Sequence, residues 1–285
     1  MLVVASGASR RRARPGALTL GDPADVPAIR RLIGDLESGR CRAAAFIVPA
    51  RRAWGLPVYE FALLAAARSE RAGATVELTV VTPEREPLEL LGGRASREIG
   101  ERLRQRGVVF RGSTFPVAAE AGGLLTVPGR AVPADAVVSA PELAAATLPG
   151  LPTEARGLVP ADEFGRVDGR DDLYVVGEAS AEHVGHGGIA AQQAETAASA
   201  IAALIDPALA PRPVRPVIRA AVLAGDETLY IRAELDGQRR SEPATRPLVV
   251  AAGQDRRETP RSRARCVRHR SAHGSSCATS VNDSS

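Results

Sequence analysis

The sequence predicts an α/β fold in which parallel strands alternate with helices. Apolar, β-capable runs at 43–49 and 75–84 are each followed by a segment of helical periodicity. A third apolar run, 108–113, follows the second helical segment. Short links from strand to helix to strand predict a right-handed parallel crossover. A late segment, 173–205, repeats the strand–loop–helix pattern with an alanine-rich helix. A chain of 285 residues is long enough for two modest domains.

The chain begins with an apolar strand that is followed by a helical segment. Leu2–Ala5 are apolar and β-capable, which predicts a buried strand. Residues 26–37 carry apolar side chains at helical spacing, so we predict an amphipathic helix there. Asp25 precedes this segment, and aspartate accepts hydrogen bonds from the first N–H groups of a helix. We therefore expect Asp25 to cap it.

The later elements continue the alternation and then change to hairpins. Helices are predicted over 57–71 and 95–106, between the strands of the crossover. Two apolar runs within 122–140 are separated by a glycine-containing turn, which predicts a hairpin. Alternating apolar residues within 211–250, joined by a Gly-Asp turn, predict a second hairpin.

The formal charge of +4 is concentrated at the end of the chain. All 37 basic residues are arginine, and residues 253–285 hold seven of them against three acidic residues, so the rest of the chain is neutral overall. A neutral body offers no basic face for nucleic acid, and we expect no nucleic-acid partner. The tail has almost no large apolar residue, so we expect it to be basic and disordered.

The cysteines and the N-terminus favour a reducing compartment. Cys41, Cys266 and Cys277 form no CxxC pair and no cluster with metal-binding spacing. Met1 leads directly into the first strand, so we expect no signal peptide, and no apolar run is long enough to span a bilayer. We expect a cytoplasmic protein without a transmembrane segment, or one peripheral to the inner face of the membrane.

The late segment holds the most specific pattern of the sequence. Its strand ends in Gly177-Glu178, and Gly187-Gly188 then open the long helix. The first N–H groups of a helix have no partner within it and face outwards as donors. α/β folds hold cofactors where a strand end, an acid and a helix N-terminus meet. An ordinary strand–loop–helix with a solvated acid is the competing interpretation.

At these residues the chain resembles the FAD-dependent pyridine nucleotide-disulfide oxidoreductase superfamily, and within it the branch of type II NADH dehydrogenases and sulfide:quinone reductases. The resemblance implies a Rossmann-like FAD/NAD(P)-binding fold, with an incomplete flavin domain and an inserted NAD(P)-binding-like domain. It implies that Glu178, which stands where the family has Asp, bonds the ribityl chain of FAD, and that the helix start lies under the isoalloxazine. The residues implied to contact FAD are Ser6, Gly7, Gly177, Glu178, Gly187, Gly188, Ala190 and Gln193.

The second α/β unit resembles the NAD(P)H-binding insert of the same family. The turn after its first strand, 49–57, keeps only Gly55 where the family has a glycine-rich turn. The resemblance implies that Trp54, Gly55 and Glu60 face the nicotinamide side of the site. Glu84, just past the second strand, stands where Rossmann units carry a ribose-binding acid.

Two features of this unit have alternative interpretations. A Thr-Pro-Glu turn explains Glu84 equally well. Arg51 and Arg52 are candidates for holding phosphate through their side chains, although solvated surface arginines are the more frequent case.

The resemblance divides the chain into parts and leaves one part out. No GxGxxG turn occurs in the sequence, so we expect an N-terminally truncated protein that lacks the first pyrophosphate-binding βαβ unit. The expected parts are a remnant of the FAD domain with a connector (1–42), an NAD(P)-binding-like domain (43–140), a second part of the FAD domain (141–210), a C-terminal hairpin region (211–252) and a disordered basic tail (253–285).

The implied function is FAD-dependent transfer of electrons from NAD(P)H to a quinone or another small acceptor, impaired by the loss of the GxGxxG unit. Sulfide oxidation in the family needs paired cysteines near the flavin, and Cys41 has no partner, so we exclude sulfide:quinone chemistry. His183 and His186 flank the flavin-like loop and are candidates for proton transfer, with polar loop residues as the alternative.

A different class of function competes with this one. The chain is then a non-catalytic truncated paralogue, or one half of a split flavoprotein, acting as a scaffold or binding module. A misassigned start codon, with the missing unit encoded upstream, is a third explanation. A homo-oligomer or a complementing N-terminal chain is the protein partner that these alternatives imply.

Overall fold

Parallel strands with helices on one face and a β-meander on the other form the centre of the molecule. The computed structural model describes residues 1–51, 53–129, 131–181, 185–235 and 248–251. The basic tail predicted at 253–285 lies outside the described residues, so its disorder stays a prediction.

The described residues form fifteen strands and four α-helices. The strands are β1 (Leu2–Val4), β2 (Ala8–Arg11), β3 (Leu18–Thr19), β4 (Ala43–Ile47), β5 (Glu77–Val81), β6 (Val109–Arg111), β7 (Phe115–Glu120), β8 (Gly123–Val127), β9 (Val132–Pro133), β10 (Ala136–Ser139), β11 (Glu142–Ala145), β12 (Leu173–Val175), β13 (Val217–Leu223), β14 (Thr228–Glu234) and β15 (Leu248–Ala251). The helices are α1 (Val26–Glu37), α2 (Leu56–Arg71), α3 (Gly93–Gln105) and α4 (Gly187–Ile205).

The central sheet has the strand order β3-β10-β4-β5-β6, and every neighbouring pair is parallel. The crossover β4–α2–β5–α3–β6 is therefore the one that the sequence predicts, and the α/β class is confirmed. The three predicted helices at 26–37, 57–71 and 95–106 form with boundaries shifted by at most two residues, as is usual at frayed helix ends.

Alternating side chains of β4 bind the sheet to both outer layers. Ala44 and Phe46 pack with the helical layer of α1, α2 and α3, whereas Ala45 and Ile47 pack with the meander β7–β8–β9. Strand side chains alternate between faces with a period of two, so a strand buried on both faces is apolar throughout. This explains why AAAFI contains no polar residue.

The hairpin predicted within 122–140 is only partly correct. β8 pairs mainly with β7, and its pairing with β9 covers two residues. The second half of the predicted hairpin, Ala136–Ser139, instead enters the parallel sheet as β10, between β3 and β4. Its central residues are buried, as a strand with neighbours on both edges requires.

The late segment forms a smaller parallel pair, in which β12 pairs with β1. Residues 165–167 bond to the other edge of β12 through Val167 N–H to Leu173 O (2.9 Å) and Val175 N–H to Gly165 O (2.7 Å). No described strand pairs with the other edge of β1. The prediction of a buried first strand is therefore wrong, since Leu2 and Val3 are 60% and 44% exposed.

Asp25 occupies the N-cap position of α1 without capping it through its side chain. Its carboxylate accepts the Thr19 backbone N–H (2.7 Å) and the Arg12 guanidinium (2.6 Å). These bonds hold the pKa of the Asp25 carboxyl below its usual value, against the opposing effect of burial. The predicted cap is thus corrected, because Asp25 ties β3 to the segment that follows β2.

Residues from the predicted connector contribute to the central sheet. β3 forms one edge of that sheet, and Leu32 and Leu36 of α1 lie in the core of its helical layer. β2 pairs antiparallel with β11, so two crossing segments join the late segment to the sheet. The division of the chain at residues 42, 140, 210 and 252 stays a prediction.

The terminal hairpin forms as predicted from β13 and β14, with β15 as a third strand. Ile218 and Leu229 are buried against α2 and α3, so the hairpin covers the helical layer. At its turn, Asp226 pairs with Arg106 and Arg71, and Gly225 has a φ of +93°. A Cβ at Gly225 would lie 2.7 Å from the Cβ of Ala67.

We predict that Gly225→Ala lowers the free energy of unfolding by about 1–3 kcal/mol more than Gly39→Ala does. Both glycines have positive φ, so both substitutions cost about 1–2 kcal/mol of backbone strain. Only Gly225 adds a steric overlap, because a Cβ at Gly39 would meet no atom within 4 Å. Urea unfolding of the two variants measures this, and equal losses would contradict the close docking of the turn on α2.

Candidate functional site

The candidate nucleotide side lies at the carboxyl ends of β4 and β5. In open parallel sheets ligands bind outside this edge, because the loops and helix N-termini converge there. Pro49 and Trp54 belong to the turn between β4 and α2, and Glu84 follows β5. Arg52, one of the candidate phosphate contacts, lies outside the described residues.

Glu84 is held by hydroxyl groups of two neighbouring elements. Tyr59 of α2 donates its O–H to Glu84 Oε2 at 2.5 Å, and Thr82 donates to the same oxygen at 3.0 Å. Burial raises the pKa of Glu84, although these hydrogen bonds act in the opposite direction. Burial and the nearby Glu84 charge raise the pKa of Tyr59 well above its usual value, so Tyr59 is a neutral donor.

Gly55 and Glu60 both contact neighbouring elements of the protein. A Cβ at Gly55 would lie 3.1 Å from Val48 Cγ2 and 3.4 Å from Tyr59 Cε2, so a glycine allows α2 to approach the end of β4. Glu60 Oε1 accepts the backbone N–H of Leu223 at 2.9 Å and thereby fastens the end of β13 to α2. Gly55 therefore lies beside Val48 and Tyr59 at the nucleotide side, whereas the Glu60 carboxylate is directed to β13.

The candidate flavin side begins at a tight turn after β12. Gly177 has a φ of +75°, which favours glycine, and its N–H donates to Gln193 Oε1 at 2.9 Å. Gln193 is buried, so its amide fixes the turn to α4. A Cβ at Gly177 would touch Ala190 Cβ at 3.5 Å, which places Ala190 directly beside the turn.

Glu178 lies in the 3₁₀ turn Gly177–Ala179 and is partly buried. A Cβ at Gly185 would lie 3.1 Å from Glu178 Oε1 and 2.3 Å from Leu143 Cδ1. Gly185 therefore lies directly against the acid, and a side chain at this position would displace the Glu178 carboxylate or Leu143. His183 of this loop lies outside the described residues.

The N-terminus of α4 is capped by a histidine that also contacts the nucleotide side. The Gly188 N–H donates to His186 Nδ1 at 3.1 Å, so His186 acts as N-cap. Its ring packs edge-on against the ring of Trp54, with centroids 5.2 Å apart. Burial lowers the pKa of His186, and the neutral ring keeps Nδ1 available as acceptor. Trp54 and the start of α4, predicted for opposite sides of the site, are thus in direct contact.

Ser6 and Gly7 follow β1, whose Val4 carbonyl accepts the Val176 N–H at 2.9 Å. They leave β1 on the same side on which the Gly177 turn leaves β12, because the two strands are parallel and in register. A Cβ at Gly7 would meet no atom within 4 Å, so open space adjoins this position.

Cys41 lacks the surroundings of a redox-active cysteine. It is buried before β4, at the amino end of the sheet, and burial raises the pKa of its thiol. A reactive cysteine needs a stabilised thiolate and access to solvent. Among the described residues no group of histidine, cysteine or acidic side chains could hold a metal ion.

Sequence reasoning missed Tyr59 as part of the site. Tyr59 lies on the apolar face of α2 and is fully buried. A tyrosine on a buried helix face needs a partner for its hydroxyl, and that requirement is the signal that could have pointed to an acid nearby. The sequence gives no signal for the contact between Trp54 and His186, because the two residues are far apart along the chain.

Comparison with known proteins supports the fold. No protein-family model matches the sequence, and no curated protein does. Its structure is similar to the sulfide:quinone oxidoreductase of Aquifex aeolicus, with a TM-score of 0.70, 17% identity, and coverage of 86% of this chain and 64% of that one. The ferredoxin reductase for the CYP199A2 system of Rhodopseudomonas palustris gives a TM-score of 0.58, 20% identity, and coverage of 88% and 64%.

A NAD-dependent persulfide reductase from A. fulgidus gives a TM-score of 0.51 at 19% identity, with coverage of 81% of this chain and 43% of that one. The chain thus spans less than two thirds of the length of each of these structures. It has the Rossmann-type α/β fold of FAD- and NAD(P)-binding oxidoreductases, which confirms the predicted fold class and, at the level of fold, the resemblance. No helix among the described residues is long and apolar enough to cross a membrane.

We predict that Glu84→Gln becomes more stable relative to wild type as the pH rises from about 4 to about 8. The folded-state pKa of Glu84 is raised from 4.5, because burial favours the neutral carboxyl over the carboxylate. The neutral carboxyl of the wild type therefore stabilises the fold below pH 4.5, and this stabilisation is lost as the pH rises through the folded-state pKa. Glutamine keeps the shape and never ionises. Urea unfolding at several pH values measures the difference between the two proteins.

The matched control is Glu86→Gln, which removes an exposed carboxylate from the same turn. Its stability relative to wild type should vary much less with pH. A Glu84→Gln difference that is constant across the range would show that the carboxylate ionises without a desolvation cost.

Proposed function

We propose that the chain carries the flavin-side and nucleotide-side residues of an FAD-dependent NAD(P)H oxidoreductase that passes electrons to a quinone or another small acceptor. The main support is the contact between Trp54 and His186, because it brings the turn after β4 against the start of α4. A hydride donor and a flavin have to meet between such elements. The fold shared with oxidoreductases of known structure supports the same class.

The surroundings of the α4 N-terminus fit a flavin on two observations. A Cβ at Gly187 or at Gly7 would meet no atom within 4 Å, so open space adjoins both the helix start and the end of β1. The Gly177 turn, held by Gln193, also places an acid, Glu178, directly after β12. The sequence has no GxGxxG turn, so this chain offers the pyrophosphate no glycine-rich cradle.

A bound flavin supplies the hydride-accepting chemistry, and the protein supplies binding and orientation. In this proposal Glu178 accepts hydrogen bonds from the ribityl hydroxyls, and Gln193 and Ala190 hold the Gly177 turn in place. The Gly188, Ile189 and Ala190 N–H groups at the start of α4 bond to His186, so the helix dipole is what stabilises negative charge there. Ser6 and Gly7 line the end of β1 beside this turn.

On the nucleotide side, Trp54 contacts the start of α4, and Gly55 lets α2 pack closely on the end of β4. Glu84 anchors the turn after β5, and Glu60 fixes α2 to the hairpin. Because His186 Nδ1 accepts the Gly188 N–H, the proton of the neutral ring lies on Nε2. Cys41 takes no part, so sulfide is not the proposed substrate.

We predict that the chain binds FAD and that Glu178→Gln weakens the binding about tenfold, because a neutral acceptor replaces a charge-assisted hydrogen bond. Quenching of flavin fluorescence on titration measures the affinity, and absorbance after gel filtration shows whether flavin is retained. Glu195→Gln, which removes an exposed carboxylate from α4, is the control. Retention of no flavin would refute the flavin site, whereas equal affinities of the two variants would refute only the role of Glu178.

A non-catalytic scaffold or half of a split flavoprotein is the second candidate function. The observation that favours it is the edge of β1 with which no strand among the described residues pairs, where Leu2 and Val3 expose apolar side chains to opposite faces. Strands of parallel sheets are normally covered on both faces, and an uncovered edge pairs readily with another chain. A complementing chain that supplies strands here would complete the sheet; a second copy of this chain would pair edge to edge.

We predict that the isolated chain self-associates and that Val3→Asp reduces the association, because a charge on the edge strand opposes pairing. Sedimentation velocity at increasing concentration measures it. Val109→Asp is the matched control, since Val109 is 52% exposed on the edge strand β6. A monodisperse monomer with one sharp unfolding transition would argue against self-association through a strand edge. Equal effects of the two substitutions would argue that the association does not involve β1.

A further inference from the structure

The acid at the end of β5 is turned into the protein. In dinucleotide-binding units an acid at this position accepts the ribose 2′-hydroxyl, which selects the dinucleotide without a 2′-phosphate. Here Glu84 Oε2 already accepts hydrogen bonds from Tyr59 and Thr82. Two hydroxyl donors use both acceptor sites of Oε2, so this oxygen has no capacity left for a ribose hydroxyl.

Two exposed arginines lie near this partly buried acid. Arg85 directly follows Glu84, is exposed, and has no ion-pair partner among the described residues. Arg51 lies in the turn after β4 and is also exposed, with a loose pair of 3.8 Å to Glu89 Oε2.

A single carboxylate links the positions of the two arginines. Glu89 Oε2, which lies near Arg51, also accepts the backbone N–H of Arg85 at 2.9 Å. The turn after β4 and the turn after β5 are therefore adjacent at the ligand-binding edge of the sheet. The distance from Arg51 to Glu89 exceeds that of a hydrogen bond, so a phosphate can replace this pair at small cost.

We infer that the nucleotide side selects the 2′-phosphorylated dinucleotide, NADPH, through Arg51 and Arg85, while Glu84 stays bonded to Tyr59 and Thr82. This inference rests on the proposed function and names the substrate of its nucleotide side. Guanidinium groups suit the recognition because their forked donors match phosphate oxygens. A carboxylate facing outwards would instead repel the 2′-phosphate.

The test uses a pair of ligands that differ only in the 2′-phosphate: adenosine 2′,5′-bisphosphate and adenosine 5′-monophosphate. Trp54 is the only tryptophan of the chain and lies in the turn after β4, so its fluorescence reports binding without any flavin. The full chain, Arg51→Ala, Arg85→Ala and the control Arg31→Ala are titrated. Arg31 is exposed on α1 and has no ion pair among the described residues. Circular dichroism checks that each variant is folded.

We expect the bisphosphate to bind at least about tenfold more tightly than the monophosphate, as one charge-assisted contact accounts for about that factor. Arg51→Ala and Arg85→Ala should each bring the ratio towards one, and Arg31→Ala should leave it unchanged. Calorimetric titrations with NADPH and NADH should give the same order. High salt should reduce the ratio.

Two other results would overturn the inference in distinguishable ways. If both nucleotides bind with similar affinity, or the monophosphate binds better, the selection of NADPH is wrong but the nucleotide side stands. If neither adenosine ligand and neither dinucleotide binds, the nucleotide half of the proposed function fails as well. Retention of FAD in the same preparation shows whether the flavin half survives.

Discussion

The position of the turn after β4 depends on one arginine, Arg14. Its Nη2 donates to Pro49 O at 2.6 Å, its Nε donates to Pro116 O at 2.7 Å, and its Nη1 lies 3.1 Å from Glu142 Oε1. These partners belong to the turn after β4, to β7 and to β11. One guanidinium therefore joins the central sheet, the meander and the crossing pair β2–β11 at the turn that carries Trp54.

Side-chain hydrogen bonds fix the other parts of the site in the same way. Gln193 holds the Gly177 turn, Tyr59 and Thr82 hold Glu84, and His186 holds the start of α4. Each of these side chains provides a hydrogen-bond partner to a group of another element or of the adjoining turn, and so fixes its position. The site is therefore built on fixed positions, and the groups left exposed at its edge are those free to contact a ligand.

The elements with local signals were predictable from the sequence, and those decided by distant partners were not. Helices α1, α2 and α3 follow from apolar periodicity, and the hairpin β13–β14 follows from alternation around a Gly-Asp turn. The apolar run of β10 fits a hairpin as well as a central parallel strand, and only its neighbours β3 and β4 decide between them. Glu84 was recognisable as an acid after a strand, but its orientation depends on Tyr59, which the chain brings from another element.

The composition of the turn after β4 determines how this fold can hold a phosphate. Glycine-rich turns bind pyrophosphate through backbone N–H groups that ligands approach closely. Here Pro49 has no N–H, and the one remaining glycine, Gly55, packs against Val48 and Tyr59. Binding must then come from arginine side chains, which lose rotamer freedom on binding and respond to salt. A nucleotide held in this way is recognised mainly by its charge, so the extra phosphate of a 2′-phosphorylated ligand counts for more here than it does in a glycine-rich turn.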